Sequence, residues 1–290
     1  MDNCIEVLQV LPKKIIEIIE GKVDTKKIQE IRIKVNKPVI ININNEELVL
    51  DYIVSKDELK YIITKISSYS LYAFEEEMKQ GYITFRGGHR IGLAGQCVME
   101  NGRVKILRNI SSINIRICKE IIGSSNKIMP YISNFNKVYN TLIVSPPKCG
   151  KTTILRDIAK NISNGFSRIN LKGKKEVIIE KRSEIAGCYN GIPQMNVGIR
   201  SDVLDNCLKT NGIIMAIRSL SPEVIICDEN MILTVHGIDL DDVSRRKSLK
   251  ELINDNILER IVVLSSKNGP GTLEKVYKIQ EGGQIKCLDI

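Results

Sequence analysis

Val138-Tyr-Asn-Thr-Leu-Ile-Val144, Ser145-Pro-Pro-Lys-Cys-Gly-Lys-Thr-Thr153 and Ile154-Leu-Arg-Asp-Ile-Ala-Lys-Asn-Ile162 follow one another without a break. An apolar run, a short loop and a helix-like stretch in that order are the setting of a phosphate-binding loop. The chemistry requires backbone N–H groups turned toward an anion, a lysine for the β- and γ-phosphate oxygens, a hydroxyl for Mg²⁺, and a helix N-terminus behind them. Gly150, Lys151 and Thr152 supply the last three, while Ser145, Pro146, Pro147, Lys148, Cys149 and Thr153 complete the loop. Ser145 stands where the G-x-x-x-x-G-K-[ST] pattern has its first glycine, so it fits only with negative φ or with strain.

From Val138 onward strand and helix patterns alternate, which predicts a parallel sheet with crossover helices. The expected strands are 138–144, 176–180, 224–228, 231–235 and 260–264, closed by a hairpin of 272–280 with 284–288. Helices are expected over 151–161, 205–218 and 240–254. Before this half, 5–20 has helical spacing and 28–50 alternates with period two around a turn at Asn36-Lys37-Pro38. Ser55 and Glu58 form a capping box for a helix over 56–79 that stops at Gly81. Residues 82–117 read as strand, with Asn101-Gly102 as a type I′ turn. The expected organisation is an α+β domain over 1–122, a linker over 123–137 and an α/β domain over 138–290.

Val224-Ile-Ile-Cys-Asp228-Glu229 is an apolar strand ending in two acids. Paired with the phosphate loop it has the form of a second NTPase element: Asp228 to hold Mg²⁺ and Glu229 to orient a water molecule. Only Asn230 then separates Glu229 from the next apolar run, Met231 to Val235. Neighbouring parallel strands need a crossover of roughly a dozen residues. Three arrangements follow: one bent strand over 224–235, a tight hairpin, or a rewired sheet.

The 290 residues carry a formal charge of +9, enough to favour an anionic surface. Trp is absent and Phe numbers 4, so base stacking lacks side chains and a nucleic-acid partner is not expected. The eight cysteines have no zinc or disulfide spacing and read as free thiols of a reducing cytosol. No stretch has the length and apolarity of a membrane span, so membrane contact is expected to be peripheral.

Phe85-Arg-Gly-Gly-His-Arg-Ile-Gly-Leu-Ala-Gly95, Arg108-Asn-Ile-Ser-Ser-Ile-Asn-Ile-Arg-Ile117, Arg182-Ser-Glu-Ile-Ala-Gly-Cys-Tyr-Asn-Gly191, Ile217-Arg-Ser-Leu-Ser-Pro222, Thr234-Val-His-Gly237 and Gly269-Pro-Gly271 occur in this order. With them the chain resembles the stage III sporulation protein AA family of endospore formers, relatives of the type II and type IV secretion ATPases. The resemblance implies a RecA-like P-loop ATPase domain preceded by a smaller α+β domain, with ATP and Mg²⁺ as cofactors. It implies a homo-oligomer, a hexameric ring, in the mother-cell cytoplasm at the forespore outer membrane, serving membrane-embedded channel proteins. It also makes Glu180 and Glu184 runners-up to Glu229 for the water-positioning role, and places His236 in a nucleotide-sensing histidine box and Arg86, Arg90 and Arg116 as arginines reaching the nucleotide. Arg218 is a further catalytic candidate. Lys181 replaces an acid of the family's acidic box, and the helix expected after Glu229 is missing. Together with Ser145, these departures imply an ATPase whose hydrolysis is slow or absent and whose nucleotide binding survives better than turnover.

Overall fold

The computed structural model describes residues 4–68, 74–146, 149–228, 231–234, 259–265, 272–280 and 284–288. The chain divides into two units, Met1–Lys119 and Glu120–Ile290.

In the first unit α1 (Ile5–Leu8) and α2 (Lys13–Lys22) lead into β1 (Ile28–Lys34), β2 (Pro38–Ile43) and β3 (Glu46–Ile53). Then come α3 (Lys56–Ile66), α4 (Glu75–Lys79), β4 (Tyr82–Phe85), β5 (His89–Glu100) and β6 (Arg103–Arg116). The single helix expected over 5–20 is two, because Pro12 has no N–H to continue the ladder and caps α2 instead. Likewise α3 stops at Ile66, with Ser68 in the left-handed region, so the helix expected over 56–79 is not continuous. Ser55 and Glu58 do form the reciprocal capping box. Asn101 and Gly102 carry the two positive φ values of a type I′ turn.

The six strands order as β3-β2-β1-β6-β5-β4. Ile41, Ile31, Ile115, Ile91 and Ile83 stand in one cross-strand row and are buried. The adjoining row on the other face is polar: Asn42, Glu30, Arg116, Arg90 and Thr84. Two arginines directly opposite each other repel. Here Glu30 stands on the other side of Arg116, and the Arg90 guanidinium lies 3.9 Å from the centre of the Tyr82 ring.

The second unit runs through α5 (Met129–Ile132), β7 (Thr141–Val144), α6 (Lys151–Asn164), β8 (Gly165–Phe166), β9 (Leu171–Lys172), β10 (Glu176–Ile179) and β11 (Ser201–Leu204). It continues with α7 (Lys209–Ser219), β12 (Val224–Cys227), β13 (Met231–Thr234), β14 (Arg260–Ser265), β15 (Thr272–Ile279) and β16 (Ile285–Leu288). Its main sheet orders as β11-β10-β12-β13-β7-β14-β15-β16. All four residues of β10 and of β12 are buried, as a sheet covered on both faces requires. Ile178 and Ile226 pack with Ile154, Leu155 and Ile158 of α6 on one face. Val177, Ile179 and Ile225 pack with Ile213 and Ala216 of α7 on the other.

Residues 123–137, expected as a linker, are built into this unit. Ile128, Met129 and Ile132 join the core with α6. The Asp157 carboxylate accepts from the N–H of Gly123 (3.0 Å), the N–H of Ser125 (2.8 Å) and the Ser125 hydroxyl (2.7 Å). A buried carboxylate with three donors pins the segment, which composition could not reveal. The helix expected over 240–254 lies outside the described residues.

Candidate functional site

Strand direction decides what shares an edge. β12 is parallel to β10 and β10 to β11, with Ile179 opposite both Cys227 and Leu204. β13 is antiparallel to β12 (Cys227 opposite Met231) and to β7 (Met231 opposite Leu142). β12 and β7 therefore run the same way, and β14 is parallel to β7. Asp228, Glu180, Asp205 and the loop after Val144 all leave the sheet at its carboxyl-terminal edge, where open α/β sheets bind ligands. The loop and Asp228 are two strand spacings apart, about 10 Å.

β13 is the tight hairpin among the three arrangements left open, and the sheet is not purely parallel as expected. A loop of three residues can reverse a chain but cannot carry it back for a parallel pairing. Thr234 pairs with Val224, so it stands at the edge away from the loop that follows Val144. Glu229 and His236 lie outside the described residues, as do Pro147 and Lys148.

Lys151 and Thr152 open α6, and Gly150 caps it at φ 75° and ψ 18°. That left-handed conformation costs a side-chain-bearing residue about 1–2 kcal/mol, so the glycine is required by the turn. Among the described residues with positive φ, Ser145 does not occur, so serine fits where the motif has glycine. Its hydroxyl donates to the Pro146 carbonyl at 2.9 Å. Cys149 is buried, and Lys151, Thr152 and Thr153 are half-buried.

Glu180 is fully buried. One carboxylate oxygen accepts from the Ile185 N–H at 2.6 Å and the other from the Ala186 N–H at 3.1 Å. Burial pushes its carboxyl up to about 7, and the charges of Asp205 and Asp228 push the same way, outweighing the two amide donors that favour the anion. Glu180, Cys188 and Asp205 bring ligand-capable atoms within 4.8 Å of one another. Burial, then the Asp205 and Glu180 charges, pushes the Cys188 thiol up to about 12. The Ser183 hydroxyl donates to Asp205 at 2.6 Å, and the Lys181 N–H donates to Asp228 at 2.9 Å. From α6, Arg156 donates through Nε to the Ile185 carbonyl and through Nη2 to the Glu184 carbonyl, the latter at 2.7 Å.

Of the expected site residues, the fold therefore groups residues 145, 146 and 149–153 with Glu180 and Asp228 along one edge. Glu184 is exposed on the loop that Glu180 anchors. Arg218 is not brought to that edge: it lies in the last turn of α7, which returns the chain to the start of β12 at the opposite edge. Arg86, Arg90 and Arg116 belong to the first unit, where Arg90 and Arg116 are cross-strand neighbours. Sequence reading missed Arg156, Asp157, Asp205 and Cys188. The signal for the first two was present: a charged pair inside Ile154-Leu155 and Ile158-Ala159, on a helix that is buried nearly all round.

Comparison with known proteins bears on the same chain. The family model for sporulation stage III, protein AA matches residues 1–285. The chain belongs to this family. It is 40% identical to stage III sporulation protein AA of Bacillus subtilis (strain 168) over 292 residues, spanning 94% of each chain. It is also 22% identical over 273 residues to protein SEEDLING PLASTID DEVELOPMENT 1 of Arabidopsis thaliana, covering 87% of this chain and 36% of that one. Among solved structures, the pilus retraction motor PilT with bound ADP superposes at TM-score 0.49 and 12% identity, covering 89% of this chain and 77% of that chain. The Legionella pneumophila ATPase DotB gives 0.45 and 14%, covering 81% and 72%. Likenesses of that size carry no functional information. The chain is a mixed α/β protein. Among the described residues no helix is long and apolar enough to cross a membrane.

Proposed function

We propose that the second unit binds Mg²⁺-ATP at residues 145–153 and couples it to a homo-oligomeric assembly of the sporulation machinery. By the family resemblance the assembly is a hexamer in the mother-cell cytoplasm, at the forespore outer membrane, serving a membrane-embedded channel. The observation that carries this reading is the shared edge: the loop capped by left-handed Gly150, the N-terminus of the 14-residue helix α6, and the Asp228 carboxylate leave the sheet on the same side. The donor set fits a magnesium nucleotide. Unbonded N–H groups of the first helical turn and Lys151 would meet phosphate oxygens, and Thr152 with Asp228 would hold the metal. Bound Mg²⁺ supplies charge neutralisation on the phosphates.

Calorimetry tests the reading. Wild type is expected to bind ATP or a non-cleavable analogue in the presence of Mg²⁺, and Lys151→Ala to lose that binding. Equal affinity in the two proteins would refute the site.

One observation favours a second reading, a nucleotide-gated ring with little turnover. Glu180 has both oxygens taken by amides and no exposed surface, and Lys181 replaces an acid while its N–H engages Asp228. Neither can orient a water molecule, which leaves Glu184 and Glu229 for that role. Sustained phosphate release by the purified oligomer excludes the gated ring. No stimulation by single-stranded nucleic acid is expected.

A further inference from the structure

We propose that Arg156 is a positioning residue that makes the Asp228 carboxylate competent for Mg²⁺, acting through the 181–186 loop. The proposal rests on the nucleotide-binding reading and deepens it.

Besides the Gln194 and Met195 N–H groups that donate to the Ala186 carbonyl, both at 3.0 Å, four sets of contacts hold that loop. Glu180 accepts from Ile185 and Ala186, Ser183 donates to Asp205, and Lys181 donates from its backbone to Asp228. These three tie the loop to the ends of β10, β11 and β12. The fourth ties it to the helix behind the phosphate loop: Arg156 donates to two consecutive carbonyls, those of Glu184 and Ile185. Its side chain is buried, at 7% exposure. A guanidinium delivers a planar fork of donors and keeps its charge at every working pH. Two adjacent carbonyls on one fork fix the loop in direction as well as distance.

Arg156 lies five residues after Lys151, about 7.5 Å along the axis of α6. A shift of that helix end reaches the 184–185 carbonyls through one side chain. From Ile185 the chain returns through Glu184, Ser183 and Arg182 to Lys181, whose amide orients Asp228. Hydrogen bonds to a metal-holding carboxylate from outside the ligand set typically matter about 10–100-fold in metal affinity. Arg156 sits one step further out, in the element that places such a donor.

The test measures how much Mg²⁺ strengthens ADP binding in the full chain, by calorimetry with and without the metal. Arg156→Lys keeps the charge and a helix-compatible stem but supplies no fork. Its Mg²⁺-free affinity is expected to stay within about twofold of wild type, while the strengthening by Mg²⁺ drops by about tenfold. A purely structural role would lower the unfolding temperature and leave the strengthening intact, and that result in folded Arg156→Lys protein overturns the proposal. Should the variant not fold, wild type decides through amide hydrogen exchange. Mg²⁺-ADP is expected to slow exchange at Lys181, Ile185 and Ala186 more than metal-free ADP does, and equal protection overturns the proposal. Wild type that binds no ADP under either condition overturns the nucleotide reading itself, a failure distinct from intact Mg²⁺ strengthening in the variant.

Discussion

Replacing Glu180 by glutamine tests the electrostatics of the carboxyl-terminal edge. The group is raised from 4.5 to about 7, so the fold prefers its protonated form. The stability contributed by that preference is complete below the unfolded-state value and is lost as pH rises through about 7. A shift of this size corresponds to roughly 3 kcal/mol, since one pKa unit is about 1.4 kcal/mol. Glutamine cannot ionise. It accepts one of the two amides and turns an NH₂ group toward the other, a penalty of about 1–3 kcal/mol that does not vary with pH. Urea unfolding followed by circular dichroism, from about pH 4.5 to about pH 8, should therefore give two profiles that converge as pH rises and that cross if the glutamine penalty is below about 3 kcal/mol. Wild type loses roughly 3 kcal/mol against Glu180→Gln over that range. Glu176, also fully buried and raised by burial, titrates in both proteins and cancels in the difference. Parallel profiles would show that the two amides hold Glu180 as an anion and that burial does not win.

Asp157→Ala leaves two backbone donors and one hydroxyl around Gly123 and Ser125 without their acceptor, and is expected to cost about 3 kcal/mol in urea unfolding. A loss below about 1 kcal/mol would mean that water replaces the carboxylate. Gly150→Ala must place a Cβ at φ 75°. It should cost about 1–2 kcal/mol in thermal unfolding and weaken ADP binding by more than that same strain implies. Cys149, at 2% exposure inside the phosphate loop, is expected to react slowly with iodoacetamide and more slowly still with Mg²⁺-ADP bound. Equal rates would contradict the loop assignment.

Features set by a few neighbouring residues were legible in the sequence. Gly150-Lys151-Thr152 between apolar run and helix, the Ser55–Glu58 box and the Asn101-Gly102 turn each need only local chemistry. Features set by distant partners were not. Whether residues 123–137 are linker or core depends on Asp157, some 30 residues on, and on the apolar face of α6. Glu180 reads as a water-positioning acid until the amides of Ile185 and Ala186 turn back onto it. β11 was missed because Ser201-Asp-Val-Leu204 has one clear apolar pair and becomes a strand only by pairing with β10.

The direction of β13 joins these two kinds of feature. Length alone excludes a parallel return after Asp228, because Cys227 and Met231 are already paired. Length cannot say where the reversed strand goes. The sheet can accept it between β12 and β7 because an antiparallel strand satisfies the hydrogen-bonding edges of both neighbours without altering either one's direction. Buried Ile232 fills the core position against Ile226 and Thr141, so the apolar layer stays closed. Hence β12 still points toward the edge that carries the loop after Val144, and Asp228 remains there although the crossover is gone. The cost falls on Thr234, which a parallel strand would have delivered to that edge. On the proposed reading, a metal-holding role for Asp228 depends on the direction of β12 and is unaffected by that of β13.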